Sequence, residues 1–308
     1  MKKEILVAMD ASTQSRQILS YITDLFGHEE DTSFHLASWV PAAPSIMPSV
    51  ADSRNSLIPV SGQSNKKTKA ERFLKQARER LDLQGFTPER IKTSVHVSGY
   101  NIAEAIQQHT AKLLPDALLF GRRGLTGLSE MLMGSVSASL LKRCRATPLW
   151  IVDGKVEHKD FLVPVDGTLP SLLAVDHLAH ILAGRNDIRL CLFHCSSLFG
   201  KKVNCKPKYF YKQWNKEWCN KHLSGTDCLF QGPRTLLLDA GIPDSNILIL
   251  PEKTDLEEAH GIIRAAKRQQ CGTIVMGRRG MGLVKGLFGG VSDRTIKHVQ
   301  NLALWMVG

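Results

Sequence analysis

No apolar run in this 308-residue sequence approaches the roughly 20 residues that a membrane-spanning helix needs, and the opening Met-Lys-Lys-Glu leads straight into a strand-like Ile5-Leu6-Val7. Without a span or an export signal, the expectation is a cytoplasmic protein with no membrane partner. The sequence also lacks any CxxC pair, and its seven cysteines are an odd number. The odd count, in a chain with no export signal, argues for reduced thiols, and the missing CxxC speaks against a zinc site. Charge of one sign is nowhere concentrated: the net charge of +11 divides into +5 on residues 1–155 and +6 on the remainder. The densest basic cluster, Lys66-Lys67-Thr68-Lys69, opens a helical pattern and reads as a solvated face, so no nucleic-acid partner is expected. A mildly basic chain suits small anions equally well.

Two nucleotide signatures are missing as well. There is no GxxxxGK[ST], and the first strand candidate runs into Asp10-Ala11-Ser12-Thr13 rather than a glycine-rich loop. P-loop chemistry, the dinucleotide fingerprint and the amidating ATP enzymes of related fold thereby lose their main support. No nucleophile stands beside an evident base, and no carboxylates pair. No catalytic residue is assigned and no metal site is expected.

What the sequence does contain is an internal repeat. Ile5-Leu-Val-Ala-Met9-Asp10 returns as Phe161-Leu-Val-Pro-Val165-Asp166, and Gly121-Arg122-Arg123-Gly124 returns as Gly277-Arg278-Arg279-Gly280, both at an offset of 156. Pro148-Leu149-Trp150-Ile151-Val152 matches Ala303-Leu304-Trp305-Met306-Val307 at 155, so one residue is missing between Gly280 and Trp305. The chain reads as a tandem duplication, 1–155 and 156–308, joined near residues 153–160.

Within each half, apolar periodicity alternates between strand and helix. In the first, strands are expected at 5–10, 34–40, 95–97, 117–120 and 148–152, and helices over 18–26, 70–81, 102–114 and up to Cys144. Residues 41–64, rich in Pro, Ser and Ala, read as a long mobile loop. In the second, strands at 161–165, 188–194, 247–250 and 273–276 alternate with helices over 169–182, to Asp239, and through Leu256, Ala259, Ile262, Ile263 and Ala266, which are expected to face a core. Residues 198–232 fit no template. The alternation requires parallel strands with right-handed crossovers, so the fold class is α/β, two doubly wound open parallel sheets in tandem.

The glycine stretch lies between a strand and a helix start. Glycines let backbone N–H groups approach an anion, and a helix N-terminus adds unpaired donors, so phosphate is a natural guest, although a plain strand-to-helix turn uses the same residues. Ser135 and Ser137 add hydroxyls. Asp10 and Asp166 end the first strand of each half, at the edge where doubly wound sheets bind ligands, and suit either a helix cap or a ligand contact.

With Asp10 ending the first strand, the spacing Gly121-x-x-Gly124-(nine residues)-Gly134-Ser135 resembles that of the universal stress proteins, in the tandem, ATP-binding type. The resemblance covers both halves. It implies that phosphates are held by Gly121, Arg122, Gly124, Gly134 and Ser135, with Ser137 close by, and that adenine meets Asp10 and the backbone of Val40. The second-half counterparts are Asp166, Gly277, Gly280, Gly290 and Ser292. ATP, with or without Mg²⁺, is the implied ligand, and an unidentified protein partner would read its occupancy. A slow ATPase or self-phosphorylating enzyme, and an interaction module that binds no nucleotide, are the alternatives.

The second half departs from the pattern, because Val291 stands where Ser135 stands. If the missing residue precedes Gly289, then Gly289-Gly290 occupies the Gly-Ser position instead. Either way the hydroxyl is gone, and a weaker or differently shaped second site is expected. His194, Cys195, Cys205, Cys219, His222 and Cys228 crowd the irregular segment without a ligand-spaced motif. The aromatics Phe210, Tyr211, Trp214 and Trp218 beside Lys206, Lys208 and Lys212 fit a core-covering helix better than a base-stacking surface. The apolar strands at 149–152 and 304–307 should cover one another as an antiparallel pair, giving an intramolecular pseudo-dimer with scope for a further homodimer.

Overall fold

The computed structural model describes residues 2–42, 61–99, 101–122, 133–198, 205–225, 227–278 and 290–308. Gly124, Gly280 and most of the 41–64 segment lie outside the described residues. The chain divides into two compact units, the first carrying four strands and four helices, the second beginning at Arg145.

In the first unit, β1 (Lys3–Ala8) is followed by α1 (Thr13–Phe26), which buries Ile18, Leu19, Ile22, Leu25 and Phe26 on one stripe. β2 (Thr32–Pro41) pairs with β1 in parallel. α2 (Ser61–Asp82) starts inside the segment expected to be loop; it buries Ala70, Leu74, Ala77 and Leu81, while Lys67 and Glu71 pair at 3.7 Å on its solvated face. β3 (Ile91–Ser98) lies on the outer side of β2. α3 (Ile102–Leu113) is capped by the Asn101 side chain, which accepts from the Ala103 N–H at 2.9 Å, and it stops at Leu114, held in the left-handed region at φ 51° before Pro115. β4 (Ala117–Gly121) and α4 (Ser135–Arg143) complete the unit. The strand order is β3-β2-β1-β4, all parallel. The chain therefore builds outward from β1 on one side and then crosses to the other, which places the topological switch point between β1 and β4.

The second unit repeats the scheme with an addition at its start. β5 (Leu149–Asp153) precedes β6 (Asp160–Pro164), α5 (Leu169–Ile181) and β7 (Leu190–Phe193). Where β2 runs unbroken for ten residues, its counterpart stops at Phe193 and resumes as the short β8 (Cys195–Ser197). α6 (Lys216–His222) and α7 (Cys228–Asp239) follow, then β9 (Ile247–Ile249), β10 (Lys253–Asp255), α8 (Glu258–Arg268), β11 (Cys271–Gly277), α9 (Val291–His298) and β12 (Leu302–Val307). The sheet order is β5-β12-β11-β6-β7-β9, and β8 pairs with β10 apart from it. Leu256, expected in the core, precedes α8 and is 80% exposed, whereas Ala259, Ile262, Ile263 and Ala266 are buried as expected.

Among the described strand pairs only β5 and β12 are antiparallel, with Trp150 opposite Trp305 and Ile151 opposite Leu304. Both indoles are fully buried and stack at 3.8 Å with 2° between their planes, and Trp150 Nε1 donates to His177 Nε2 of α5 at 3.1 Å. The break in packing thus falls before β5, whereas the repeat joint falls after it. Two apolar edge strands that would otherwise offer open backbone groups are paired with each other. Among the described residues no helix is long and apolar enough to cross a membrane.

Candidate functional site

Asp10 lies just beyond β1, half-buried, and its Oδ1 accepts from the Ser12 N–H at 3.1 Å and from the Ser15 hydroxyl at 3.3 Å, while Ser15 Oγ accepts from the Asp10 N–H. Asp166 beyond β6 does the same: Oδ1 accepts from the Thr168 N–H at 3.0 Å and hydroxyl at 2.6 Å, and Ser171 Oγ accepts from the Asp166 N–H at 3.3 Å. Ser15 and Ser171, like Asp10 and Asp166, are 156 apart, so the repeat extends to side-chain hydrogen bonds that periodicity alone does not disclose. These carboxylates do not cap a helix directly. Each fixes the turn that leads into the helix, and Ser12 and Thr168 are the residues at the N-cap position. For Asp10, Oδ1 is engaged in that turn, and Oδ2 has no hydrogen-bond partner among the described residues.

Across the switch point, β4 ends at Gly121 and α4 starts at Ser135 with Gly134 as its N-cap. The Gly134 N–H donates to the Arg122 carbonyl at 3.0 Å, which draws the helix start to the strand end. Ser137 is buried, and its hydroxyl donates to the Gly121 carbonyl at 2.8 Å. That hydroxyl is therefore committed within the fold, whereas Ser135, in the first turn, is exposed. No acidic residue occupies the first turn of α4, so its positive end is uncompensated by side chains of that turn. Val40 is buried near the end of β2, opposite Val97.

In the second unit Gly290 is the N-cap of α9 and Val291 its first residue. Burial decides the correspondence left open by the sequence: exposed Gly290, half-buried Val291 and buried Ser292 repeat exposed Ser135, half-buried Val136 and buried Ser137, so Gly290 stands where Ser135 stands. The residue lost from the repeat therefore precedes Gly289, outside the described residues; α9 ends at His298 as α4 ends at Arg143, 155 positions apart, and only its start, Val291, falls one residue later. Ser292 is buried rather than displayed. Gly277 has a packing reason to be glycine, since a Cβ there would lie 2.2 Å from the Pro170 carbonyl carbon in the first turn of α5. Gly290 has none among the described residues: its φ is −82°, and a Cβ would meet nothing closer than 3.9 Å.

The irregular segment of the second unit is brought up against the turn after β6. Thr168 and Ser171 share the lining of a cavity of about 10 Å³ with Cys205, Phe210, Leu223 and Cys228, which leaves room for one water. Cys205 and Cys228 form a disulfide, which corrects the expectation of reduced thiols throughout; the other five cysteines are free. An odd count excludes complete pairing only, and leaves any single pair open. The metal-ligand candidates of this segment do not converge among the described residues. His194 Nδ1 bonds the Val165 carbonyl at 2.7 Å, and burial beside Asp255 and Glu258 pushes the Cys195 thiol up to about 11. Phe210 is buried, and Trp214 and Trp218 stack at 5.8 Å.

A cluster that the sequence reading missed lies in the first unit, on the sheet face covered by α3. His35 of β2, His96 of β3 and His109 of α3 bring one ring nitrogen each to within 4.8 Å of the others. Ser94 Oγ bridges His35 Nε2 and His96 Nε2, at 2.8 Å to each, and the Trp39 indole stacks on His96 at 5.3 Å. Burial holds all three imidazoles below the ordinary value of 6.5, reinforced by their own proximity, by Lys92 at His35 and by Lys112 at His109; Glu4 opposes the shift at His35. The signal available in the sequence was parity: His35 and Trp39, like Ser94 and His96, are an even number of residues apart and share a strand face.

The sequence model of the universal stress protein family matches residues 1–153 and 252–301. No curated protein matches the chain in sequence. Among solved structures, a universal stress protein from Archaeoglobus fulgidus DSM 4304 is similar at a TM-score of 0.63 and 16% identity, over 99% of this chain and 95% of that one. A functionally unknown protein from Pseudomonas aeruginosa PAO1 is similar at 0.56 and 12% identity, over 99% and 92%. A putative universal stress protein from Pseudomonas aeruginosa UCBPP-PA14 is similar at 0.56 and 13%, over 99% and 93%. At these identities the structural likeness speaks for the fold, two α/β repeats in tandem. The family match spans well over half of the sequence, including the Asp10 turn and the whole first glycine stretch. The chain belongs to the universal stress protein family.

Proposed function

We propose that residues 1–155 bind ATP or a related adenine nucleotide at the crevice between β1 and β4, and that 156–308 carry a degenerate copy of that site. The observation that carries this reading is what meets at the switch point. The N-terminus of α4, with exposed Ser135 and no acidic side chain in its first turn, stands at one side, and Asp10, whose Oδ2 has no partner among the described residues, stands at the other. Backbone donors and a helix terminus suit a polyphosphate, and a carboxylate oxygen suits the exocyclic amine of adenine. In the second unit Gly290, at the position of Ser135, removes the hydroxyl, and the segment joined by Cys205–Cys228 crowds the turn at Thr168. The output is regulatory. Nucleotide occupancy changes the conformation of the first half, and a protein partner distinguishes the two states by differential affinity.

The test is mass spectrometry of the small molecule that co-purifies with the full chain, followed by calorimetric titration of the stripped protein. One adenine nucleotide per chain, displaced by ATP, is expected. Absence of any adenine compound together with no heat on titration with ATP overturns the reading.

A further inference from the structure

The histidine cluster of the first unit contains no residue of the nucleotide crevice, and nothing in the proposed function uses it. Three strands of evidence converge on it. The first is composition: three imidazoles from three separate elements direct ring nitrogens to a common point, with separations of at most 4.8 Å. Nitrogens sharing a tetrahedral zinc ion stand about 3.3 Å apart, so closure requires side-chain adjustment of only about an ångström. The second is satisfaction: His35 Nδ1 and His109 Nε2 are buried without a hydrogen-bond partner. Buried imidazole nitrogens normally find one, and two orphans in one cluster ask for an occupant. The third is preparation. The rings are held neutral by burial, as ligands must be, and Ser94 together with the Trp39 indole fixes the orientation of His96.

We infer that His35, His96 and His109 form a binding site for one divalent transition-metal ion of the imidazole-preferring class, zinc foremost, with a water or the Ser94 hydroxyl completing the coordination. Hard oxygen-seeking cations do not fit, because among the described residues no carboxylate joins the cluster. Three neutral ligands from β2, β3 and α3 would pin the edge strand β3 and the covering helix to the sheet. Glu257, His260 and His298 form a second group in the other unit, but Arg294 already lies 3.4 Å from Glu257 and competes with any cation there.

The experiment uses the full chain, stripped with a chelator and titrated with Zn²⁺ and, separately, Co²⁺. One zinc per chain is expected, with affinity lowered at least tenfold in His109→Gln and in His96→Gln and unchanged in His298→Ala. Cobalt should give the visible bands of a low-coordinate nitrogen site without thiolate charge transfer. Because a core variant can fail to fold, the wild-type protein supplies an independent readout: zinc should protect His35, His96 and His109 from acylation by diethyl pyrocarbonate, located by peptide mass spectrometry. No zinc binding by the wild type, a thiolate-type cobalt spectrum, or modification of the three histidines at the same rate with and without zinc overturns the assignment.

Discussion

Ser135 and Ser137 stand two residues apart in the glycine motif and have opposite fates. Ser137 is buried against the Gly121 carbonyl, so Ser137→Ala should cost about 1 kcal/mol of stability, read by urea unfolding, because it deletes one hydrogen bond and leaves an acceptor short. Ser135 is exposed in the first turn of a helix whose first turn carries no acid. Ser135→Asp should therefore hold or raise the melting temperature, by the equivalent of about 0.3–1 kcal/mol, since a carboxylate complements the helix terminus. The same charge should repel a nucleotide phosphate. A variant that is stabilised and yet loses ATP separates a ligand site from a plain turn. Residue types and spacing made the motif legible, but which serine is displayed depends on how α4 seats on β4, and spacing does not encode that. The histidine cluster was illegible for a related reason: His35 and His96 are 61 positions apart, and only the parallel register of β2 and β3 makes them neighbours.

At the scale of elements, the strands and helices with strong apolar periodicity were readable to within a few residues: β1, α1, β2, α3, β4, α5 and β11 all fall where the pattern put them. β3 was underestimated because it is an outer strand, with exposed Lys92 and Thr93 interrupting its apolar signal. α2 begins nine residues before its first core residue, Ala70, because its early turns carry polar side chains such as Lys66, Lys67 and Lys69. The β5–β12 pair was legible from its repeated Trp and the liability of bare apolar edges. Its energetic centre is the indole stack, with Phe161 set edge-on to Trp305 at 5.1 Å. Trp305→Ala should cost about 3–5 kcal/mol, the usual range for emptying an aromatic site in a core. Met306→Lys should place an unpaired charge at a position now 1% exposed and drive aggregation, measured by light scattering. Unfolding and scattering indistinguishable from wild type in both variants would show that this pairing does not hold the second unit together.

For the whole molecule, duplication and then divergence account for what is alike and what is not. The Asp-centred turns keep two of their hydrogen bonds in both units, from the residue two on to the carboxylate and from the aspartate N–H to Ser15 or Ser171, while the helix that should receive phosphate has lost its serine in the second. Residues 198–232, illegible because their short elements lack any sustained period, are where the second unit gained α6 and the Cys205–Cys228 bridge. Family membership and the fold follow from sequence and structure together; the inequality of the two sites is the central functional claim. Losing one hydrogen bond to a charged group costs about 1.5–3 kcal/mol, equivalent to roughly ten- to hundredfold in affinity. The most direct measurement is calorimetric titration of ATP into the stripped full chain and into Ser135→Asp. The account predicts one tight site per chain in the wild type, lost in the variant, with any second event at least tenfold weaker. Two equal sites, or a tight site that survives Ser135→Asp unchanged, would contradict it.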